Sequence, residues 1–166
     1  MKEITNLKLG GTIFSGIAGE YFVAAELSRR GYIASLTLRN TPDVDILASN
    51  GERTVKIQVK TRRTDKTNGW NFGGKELIHK KEWSNMFYVL VEISSDPIAG
   101  AVGYYIIPKN ELNEIVEKNF REWLKGTNLR NGQPRKSKVR MFIPRELSDF
   151  PVQEYKDRWD KLFETD

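Results

Sequence analysis

Residues 43–60 read DVDILASNGERTVKIQVK and contain two strand patterns separated by a turn signal. Val44, Ile46 and Ala48 occupy alternate positions of the chain, as do Val55, Ile57 and Val59. Such alternation indicates a β-strand with one buried face, and an Asn-Gly pair between two such strands is a strong β-hairpin signal. The stretch therefore predicts two antiparallel strands that turn at Asn50-Gly51.

The predicted pairing determines which polar side chains share a face of the hairpin. With a two-residue loop, Asp43 lies opposite Gln58 and Asp45 lies opposite Lys56. Lys60 follows on the same face of the second strand, because side chains alternate across a strand. A β-bulge would change these pairs, but it would keep both acids close to Gln58 and Lys60.

An amphipathic helix precedes the hairpin. Ser15 is a suitable N-cap and Gly31 stands where a C′ glycine belongs, which predicts a helix of roughly four turns. Glu20 lies on its apolar face, where a carboxylate is costly unless a charged group meets it. Gly16 and Gly19 indicate either close approach of a backbone or ligand, or tight packing of the helix on the sheet. The predicted apolar face consists of Ile13, Ile17, Tyr21, Ala24, Leu27 and Ser28.

The rest of the chain contains further strand and helix signals. Apolar runs at 86–93 and 102–107 predict two buried strands. The spacing of apolar residues predicts a helix over 108–126, an edge strand is expected at 138–143, and a short amphipathic helix at 152–163. Together with the hairpin, this order predicts an α/β fold with a mixed sheet flanked by helices.

Segment 64–74 contains Asn68-Gly69 and Gly73-Gly74 and is predicted to be a mobile loop. Trp70 and Phe72 lie within it. Their rings either stack on bases or wedge into a duplex, or they anchor the loop to the core.

Length and composition limit the possible chemistry. The 166 residues have the size of one domain, 1–166, with a core at about 13–107 and C-terminal helices and a basic segment at 108–166. The chain has no cysteine and one histidine, His79, so a metal would be held by oxygen atoms. No segment approaches the roughly 20 apolar residues of a membrane span. A cytoplasmic protein without membrane contact is expected.

The net charge of +5 is concentrated in two basic blocks. Residues 53–81 contain nine basic residues and two acids, and residues 125–145 contain seven basic residues and no acid. Such blocks either form a solvated surface or bind a polyanion, because lysine and arginine release counterions when they meet phosphates. Two blocks, one of which contains Gln58-Val59-Lys60, favour nucleic acid. The residues expected to contact it are Arg62, Arg63, Lys66, Lys80, Lys81, Arg135, Lys136 and Lys138.

Taken together, these motifs resemble the PD-(D/E)xK nuclease superfamily, which has the restriction-endonuclease-like fold. Within it the chain is most similar to Holliday-junction-resolvase-like and Gln-x-Lys homing or restriction-type endonucleases. The resemblance covers residues 13–63 well, and residues 86–107 and 155–163 more loosely. It rests on Gly16-x-x-Gly19-Glu20, the helix end at 29–32, Asp43-x-Asp45-Ile46-Leu47, Asn50-Gly51 and the sequence from Val55 to Thr61.

The resemblance implies a metal-dependent endonuclease with catalytic residues Glu20, Asp45, Gln58 and Lys60. Lys60 would stabilise a developing oxyanion or orient the attacking water. DNA is the implied substrate and partner, and a homodimer would be needed to cut both strands at once. The implied ligands of Mg²⁺ or Mn²⁺ are Glu20, Asp45, the Gln58 side chain and the Val59 backbone carbonyl, with Asp43 as the second choice.

Gln58 departs from the commoner form of the superfamily, which has a carboxylate at this position. One negative charge fewer predicts weaker metal binding. The same residues could instead form a buried salt-bridge cluster in which Lys60 neutralises Glu20 and Asp45. Two other functions are therefore kept as alternatives: a catalytically inactive nucleic-acid-binding relative, and a basic subunit that binds protein partners.

Overall fold

The computed structural model describes residues 11–38, 41–94, 96, 100–144 and 150–164, without the side chains of residues 11 and 12. Its helices are α1 (Gly11–Arg29) and α2 (Lys109–Leu124). Its strands are β1 (Ile33–Leu36), β2 (Ile46–Ser49), β3 (Thr54–Arg63), β4 (Trp70–Gly73), β5 (Met86–Ile93), β6 (Gly103–Pro108) and β7 (Arg140–Phe142). Short 3₁₀ turns span Lys81–Trp83, Val152–Tyr155 and Trp159–Leu162.

Five strands form one sheet in the order β1-β2-β3-β5-β6. The pairing of β3 with β5 is parallel and the other pairings are antiparallel, so the sheet is mixed as predicted. The parallel pairing places Gln58 beside Tyr88 and Lys60 beside Leu90. Strands β4 and β7 form a separate two-stranded sheet.

Apolar side chains cover both faces of the large sheet. Alternate residues of β5 point to opposite faces, so one face packs on α1 and the other on α2 and the β4–β7 sheet. This arrangement confirms the predicted class of a mixed sheet flanked by helices. The α1 face includes Val23, Leu27, Ile46, Ile57, Val89 and Ile106, and the α2 face includes Trp70, Tyr88, Leu90, Leu112, Val116 and Phe142.

The hairpin forms, but the predicted two-residue loop is wrong. The last pair is Ser49 with Thr54, so the loop has four residues. The Asn50 side-chain oxygen accepts hydrogen bonds from the N–H groups of Glu52 and Arg53 at 3.0 and 2.8 Å, which stabilises the longer loop. Because the pairing shifts by two residues, the paired residues 46–49 and 54–57 keep their predicted faces.

The packed face of α1 also differs from the predicted one. Ile13 and Tyr21 are 64% and 62% exposed, although both were placed on the apolar face. Gly19 and Val23 are buried instead, together with Leu27, which was predicted to be on the apolar face. The packed face is therefore rotated about the helix axis, because it contains the glycine that lets α1 approach the sheet.

Gly19 sets the distance between α1 and β3. A Cβ atom at this position would lie 1.9 Å from Thr61 Oγ1, so only glycine fits without movement. At Gly16, by contrast, an added Cβ would meet nothing within 4 Å. Tight helix-on-sheet packing therefore explains Gly19 and leaves Gly16 without this role.

Replacing Gly19 by alanine is expected to lower the free energy of unfolding by about 1–3 kcal/mol, because the methyl group overpacks the contact with Thr61. The matched control is Gly16→Ala, which should raise stability by up to ~1 kcal/mol through its higher helix propensity. Chemical denaturation of the two variants measures both effects. Adding Thr61→Ala should restore part of the stability lost in Gly19→Ala, and a failed rescue would contradict the assigned contact.

The C-terminal end of α1 forms as predicted. Gly31 has a φ of +82° and donates its N–H to the Ser28 carbonyl at 3.0 Å. The Tyr32 N–H donates to the Leu27 carbonyl at 3.1 Å. These two bonds are those of a Schellman motif, which ends the helix and directs the chain into β1.

Two other predictions need correction. Segment 64–74 is not a loop throughout, because it contains β4, and Trp70 is fully buried with its Nε1 donating to the Val91 carbonyl at 3.0 Å. The ring therefore anchors this segment to the core. The helix predicted at 152–163 is replaced by two 3₁₀ turns, because Asp157 between them has a φ of +55°, which a helix cannot contain.

Within the described ranges, no helix is both long enough and apolar enough to cross a membrane.

Candidate active site

Asp45 stands at the point where β2 separates from β3. Its N–H donates to the Ile57 carbonyl at 2.8 Å, one residue out of the strand register. Its carboxylate oxygen Oδ2 accepts a hydrogen bond from the Val59 N–H at 2.7 Å. The Asp45 side chain therefore takes the place of the main-chain carbonyl that would accept this bond if the strand pairing continued. Burial raises the pKa of Asp45, against the lowering effect of the Val59 hydrogen bond and of two nearby lysines. A carboxylate in this state is stabilised by a cation.

Lys60 extends from β3 within electrostatic reach of both aspartates. Burial lowers the pKa of Lys60, while the charges of Asp45 and Asp43 act in the opposite direction. Its ammonium nitrogen lies 5.9 Å from the centre of the Phe72 ring. The structure thus brings Asp43, Asp45 and Lys60 into one region.

Asp43 is the more exposed of the two aspartates, with 55% of its side chain accessible. Its φ of +61° lies in the left-handed region, which aspartate tolerates better than most residues. Its Oδ1 lies 3.8 Å from the ammonium nitrogen of Lys109. Asp43 therefore occupies the rim of the site, whereas Asp45 lies deeper.

Gln58 makes a contact that sequence reasoning did not identify. Its Oε1 accepts a hydrogen bond from Lys109 Nζ at 3.0 Å. Lys109 is 2% exposed, and burial lowers its pKa to about 8, although Asp43 opposes that shift. The sequence signal for this residue is its place in the first turn of α2, where the helix dipole opposes a positive charge.

Glu20 is half-buried on α1. The preceding residue, Gly19, packs against Thr61, which follows Lys60 on β3. Glu20 thus lies on the helix turn that meets the Lys60 end of β3.

The candidate ligands are oxygen atoms. In the part of the chain that the structure describes, no group of three or more carboxylate, histidine or cysteine side chains is arranged to hold a metal ion. A cation here would depend on Asp45 together with the Gln58 amide and Val59 carbonyl oxygens. Such hard donors, with water in the remaining positions, suit Mg²⁺ or Mn²⁺.

A cleft of about 610 Å³ opens beside Gln58 and Lys60. Its volume is within the usual range for ligand sites. Four lysines reach its wall, and the rings of Phe72, Trp83 and Tyr88 form its apolar part. Such a cleft suits a phosphate-bearing ligand. The lysines are Lys60, Lys75, Lys80 and Lys109.

The side chains of Arg62 and Arg135, both predicted to contact nucleic acid, are held by hydrogen bonds within the protein. The Arg62 guanidinium pairs with Glu92, donating from Nε at 3.0 Å, and lies 4.2 Å from the centre of the Trp70 ring. Arg135 Nε donates to the Thr127 carbonyl at 3.0 Å. For Arg62 and Arg135, contact with phosphate stays a prediction.

Four of the other predicted contacts are exposed, and the two basic blocks adjoin in space. Gly73 of β4 pairs with Arg140 of β7, and Arg140 also donates to the Gly74 carbonyl at 3.2 Å. The segments next to this small sheet bring residues of both blocks together. Lys66, Lys81, Lys136 and Lys138 are exposed, and Arg63 and Lys80 are partly exposed.

Comparison with known proteins identifies the class of fold. No protein-family model and no curated protein matches the sequence. The structure is similar to that of a bacterial homing endonuclease, I-Ssp6803I, with a TM-score of 0.54 and 12% sequence identity. The similarity covers 92% of this chain and 93% of that chain. The chain therefore has a nuclease-like α/β fold.

Proposed function

We propose that the protein is a metal-dependent endonuclease that hydrolyses DNA phosphodiester bonds, as a Gln-x-Lys variant of the PD-(D/E)xK superfamily. One observation carries this proposal. The Asp45 carboxylate is held on the main chain of the Gln58-Val59-Lys60 segment by the Val59 N–H, at 2.7 Å. The fold similarity to a homing endonuclease supports the same class of activity.

The proposed ligands of Mg²⁺ or Mn²⁺ come from α1, β3 and the segment just before β2. Burial makes the negative charge of Asp45 costly, and a cation beside it removes that cost. When bound, a divalent cation would neutralise the charge of the phosphate oxygens and make a bound water more acidic. The ligands are Glu20, Asp45, the Gln58 side-chain oxygen and the Val59 carbonyl, with Asp43 as the second choice.

Lys60 is proposed to act on the scissile phosphate. Its partly buried ammonium would donate hydrogen bonds to the charge that develops on the phosphate, or orient the attacking water. Poor solvation strengthens this interaction, because charges interact more strongly where the effective dielectric constant is low.

Flanking phosphates are proposed to bind the lysines and arginines around the cleft and the β4–β7 sheet. Such contacts position a nucleic acid without reading its bases. A homodimer would present two sites, one for each strand of a duplex.

The test is incubation of the protein with supercoiled plasmid and with branched DNAs, in Mg²⁺ or Mn²⁺ and in chelator. Cleavage that requires the metal is expected. Linear plasmid formed without a nicked intermediate is the expected product of a homodimer, whereas one isolated site yields nicked plasmid first.

A catalytically inactive DNA-binding protein is the second candidate, because the Gln58 oxygen is already engaged by Lys109. Binding that weakens with rising salt, without cleavage in either metal, would favour it. DNA binding that does not respond to salt would favour a basic subunit with protein partners.

A further inference from the structure

Lys109 is almost fully buried, yet its ammonium group reaches the wall of the cleft. Its Nζ donates to Gln58 Oε1 at 3.0 Å and lies 3.8 Å from Asp43 Oδ1. The centres of the Trp83 and Tyr88 rings lie 4.2 and 5.3 Å from it. A buried ammonium needs such partners, because an unpaired charge away from water is costly.

These partners are groups that would attract a metal ion to the same place. Amide and carboxylate oxygens are hard donors that suit Mg²⁺, and aromatic faces attract cations. We infer that Lys109 is a built-in cation that fills one cation position of the site, so that the site takes one metal ion fewer than its oxygen ligands could hold. This inference rests on the proposed function, because it concerns the same site.

A neutral amide at position 58 suits this role better than a carboxylate would. A glutamate at this position would form a buried ion pair with Lys109 and neutralise it. The Gln58 amide oxygen accepts the hydrogen bond and leaves the full positive charge in place. That charge then faces the cleft together with Lys60 and is available to a phosphate group.

The test is a calorimetric titration of the protein with Mn²⁺ alone, which measures the number of bound ions and their affinity. Lys109→Met and Lys109→Gln both remove the charge, and the glutamine can still donate a hydrogen bond to Gln58. Both variants are expected to bind one more ion than the wild type, or to bind Mn²⁺ about tenfold more tightly. Lys80→Met is the matched control, because Lys80 lines the same cleft and lies 4.7 Å from the Trp83 ring. The Mn²⁺ affinity of Lys80→Met should stay within about twofold of the wild-type value.

The outcomes separate this inference from the proposed function. One ion in the wild type and two in the Lys109 variants supports both. No ion in the wild type and one in the variants supports the role of Lys109, while it contradicts a metal-dependent nuclease. An equal rise in Lys80→Met shows a general effect of charge and overturns the inference. The inference is also overturned if Mn²⁺ binding is unchanged in a Lys109 variant that retains the circular dichroism spectrum of the wild type.

Discussion

Lys60→Met is expected to reduce the rate of plasmid cleavage by about 100- to 1,000-fold, with little change in affinity for DNA. The ammonium of Lys60 is partly buried beside two aspartates, so its charge acts in a poorly solvated site. Methionine has nearly the same shape and removes only the charge and its hydrogen bonds. Single-turnover cleavage and filter binding measure the two quantities separately.

Lys56→Met is the matched control for this change. Lys56 lies on the same strand and face but is exposed and outside the cleft, so cleavage should stay within about threefold of the wild type. Lys60→Met should also be at least as stable as the wild type. Burial lowers the pKa of Lys60, so its charged form costs stability at neutral pH, and this cost disappears above the ordinary pKa of 10.5. Cleavage that survives in Lys60→Met would show that the assigned site is wrong.

Asp45→Asn is expected to reduce cleavage by about 100-fold or more and to weaken Mn²⁺ binding. Asparagine retains an oxygen that can accept the Val59 N–H, so the geometry where β2 separates from β3 should persist. The negative charge that a cation needs is lost. Cleavage assays and Mn²⁺ titration measure the two effects, and circular dichroism checks the fold.

The stability of Asp45→Asn should exceed that of the wild type, and the difference should depend on pH. Burial raises the pKa of Asp45 above its ordinary value of 3.8. The wild type therefore loses stability relative to the variant as pH rises through the folded-state pKa of this carboxyl, and the difference shrinks at lower pH. Melting temperatures of both proteins from about pH 4 to about pH 7 test this expectation. A variant that is less stable throughout would contradict it.

Asp43→Asn distinguishes the two candidate ligands. Asp43 is more exposed than Asp45 and lies at the rim of the cleft, so its change should reduce cleavage by less than about tenfold. A larger loss of cleavage in Asp43→Asn than in Asp45→Asn would show that Asp43, and not Asp45, is the main ligand.

The local elements of this fold follow from local patterns. The hairpin, the strands at 86–93 and 103–108, α2 and the glycine end of α1 were predictable, because alternation, apolar runs and capping residues act over a few neighbours. Face assignment in the hairpin survived an error of two residues in register, because a shift by two preserves the side on which each side chain lies.

Other features depended on contacts between distant segments. The packed face of α1 follows from the contact of Gly19 with Thr61, which no helical period reveals. The residues at 152–163 have helical spacing, yet Asp157 donates its N–H to the Tyr104 carbonyl at 3.0 Å, and the chain adopts two short turns instead. In each case a contact with the sheet overrides a local preference.

The amino-acid sequence alone predicts the β2–β3 hairpin, the buried strands β5 and β6, and the basic character of two blocks. It also predicts a shared face for Asp45, Gln58 and Lys60. These properties depend on composition and on the two-residue period of a strand. The contact of Lys109 with Gln58 and the proximity of the two basic blocks follow from packing between distant segments. The reason is physical: the parallel β3–β5 pairing and the packing of α2 bring residues 51 positions apart within hydrogen-bond distance, and no local pattern encodes that distance.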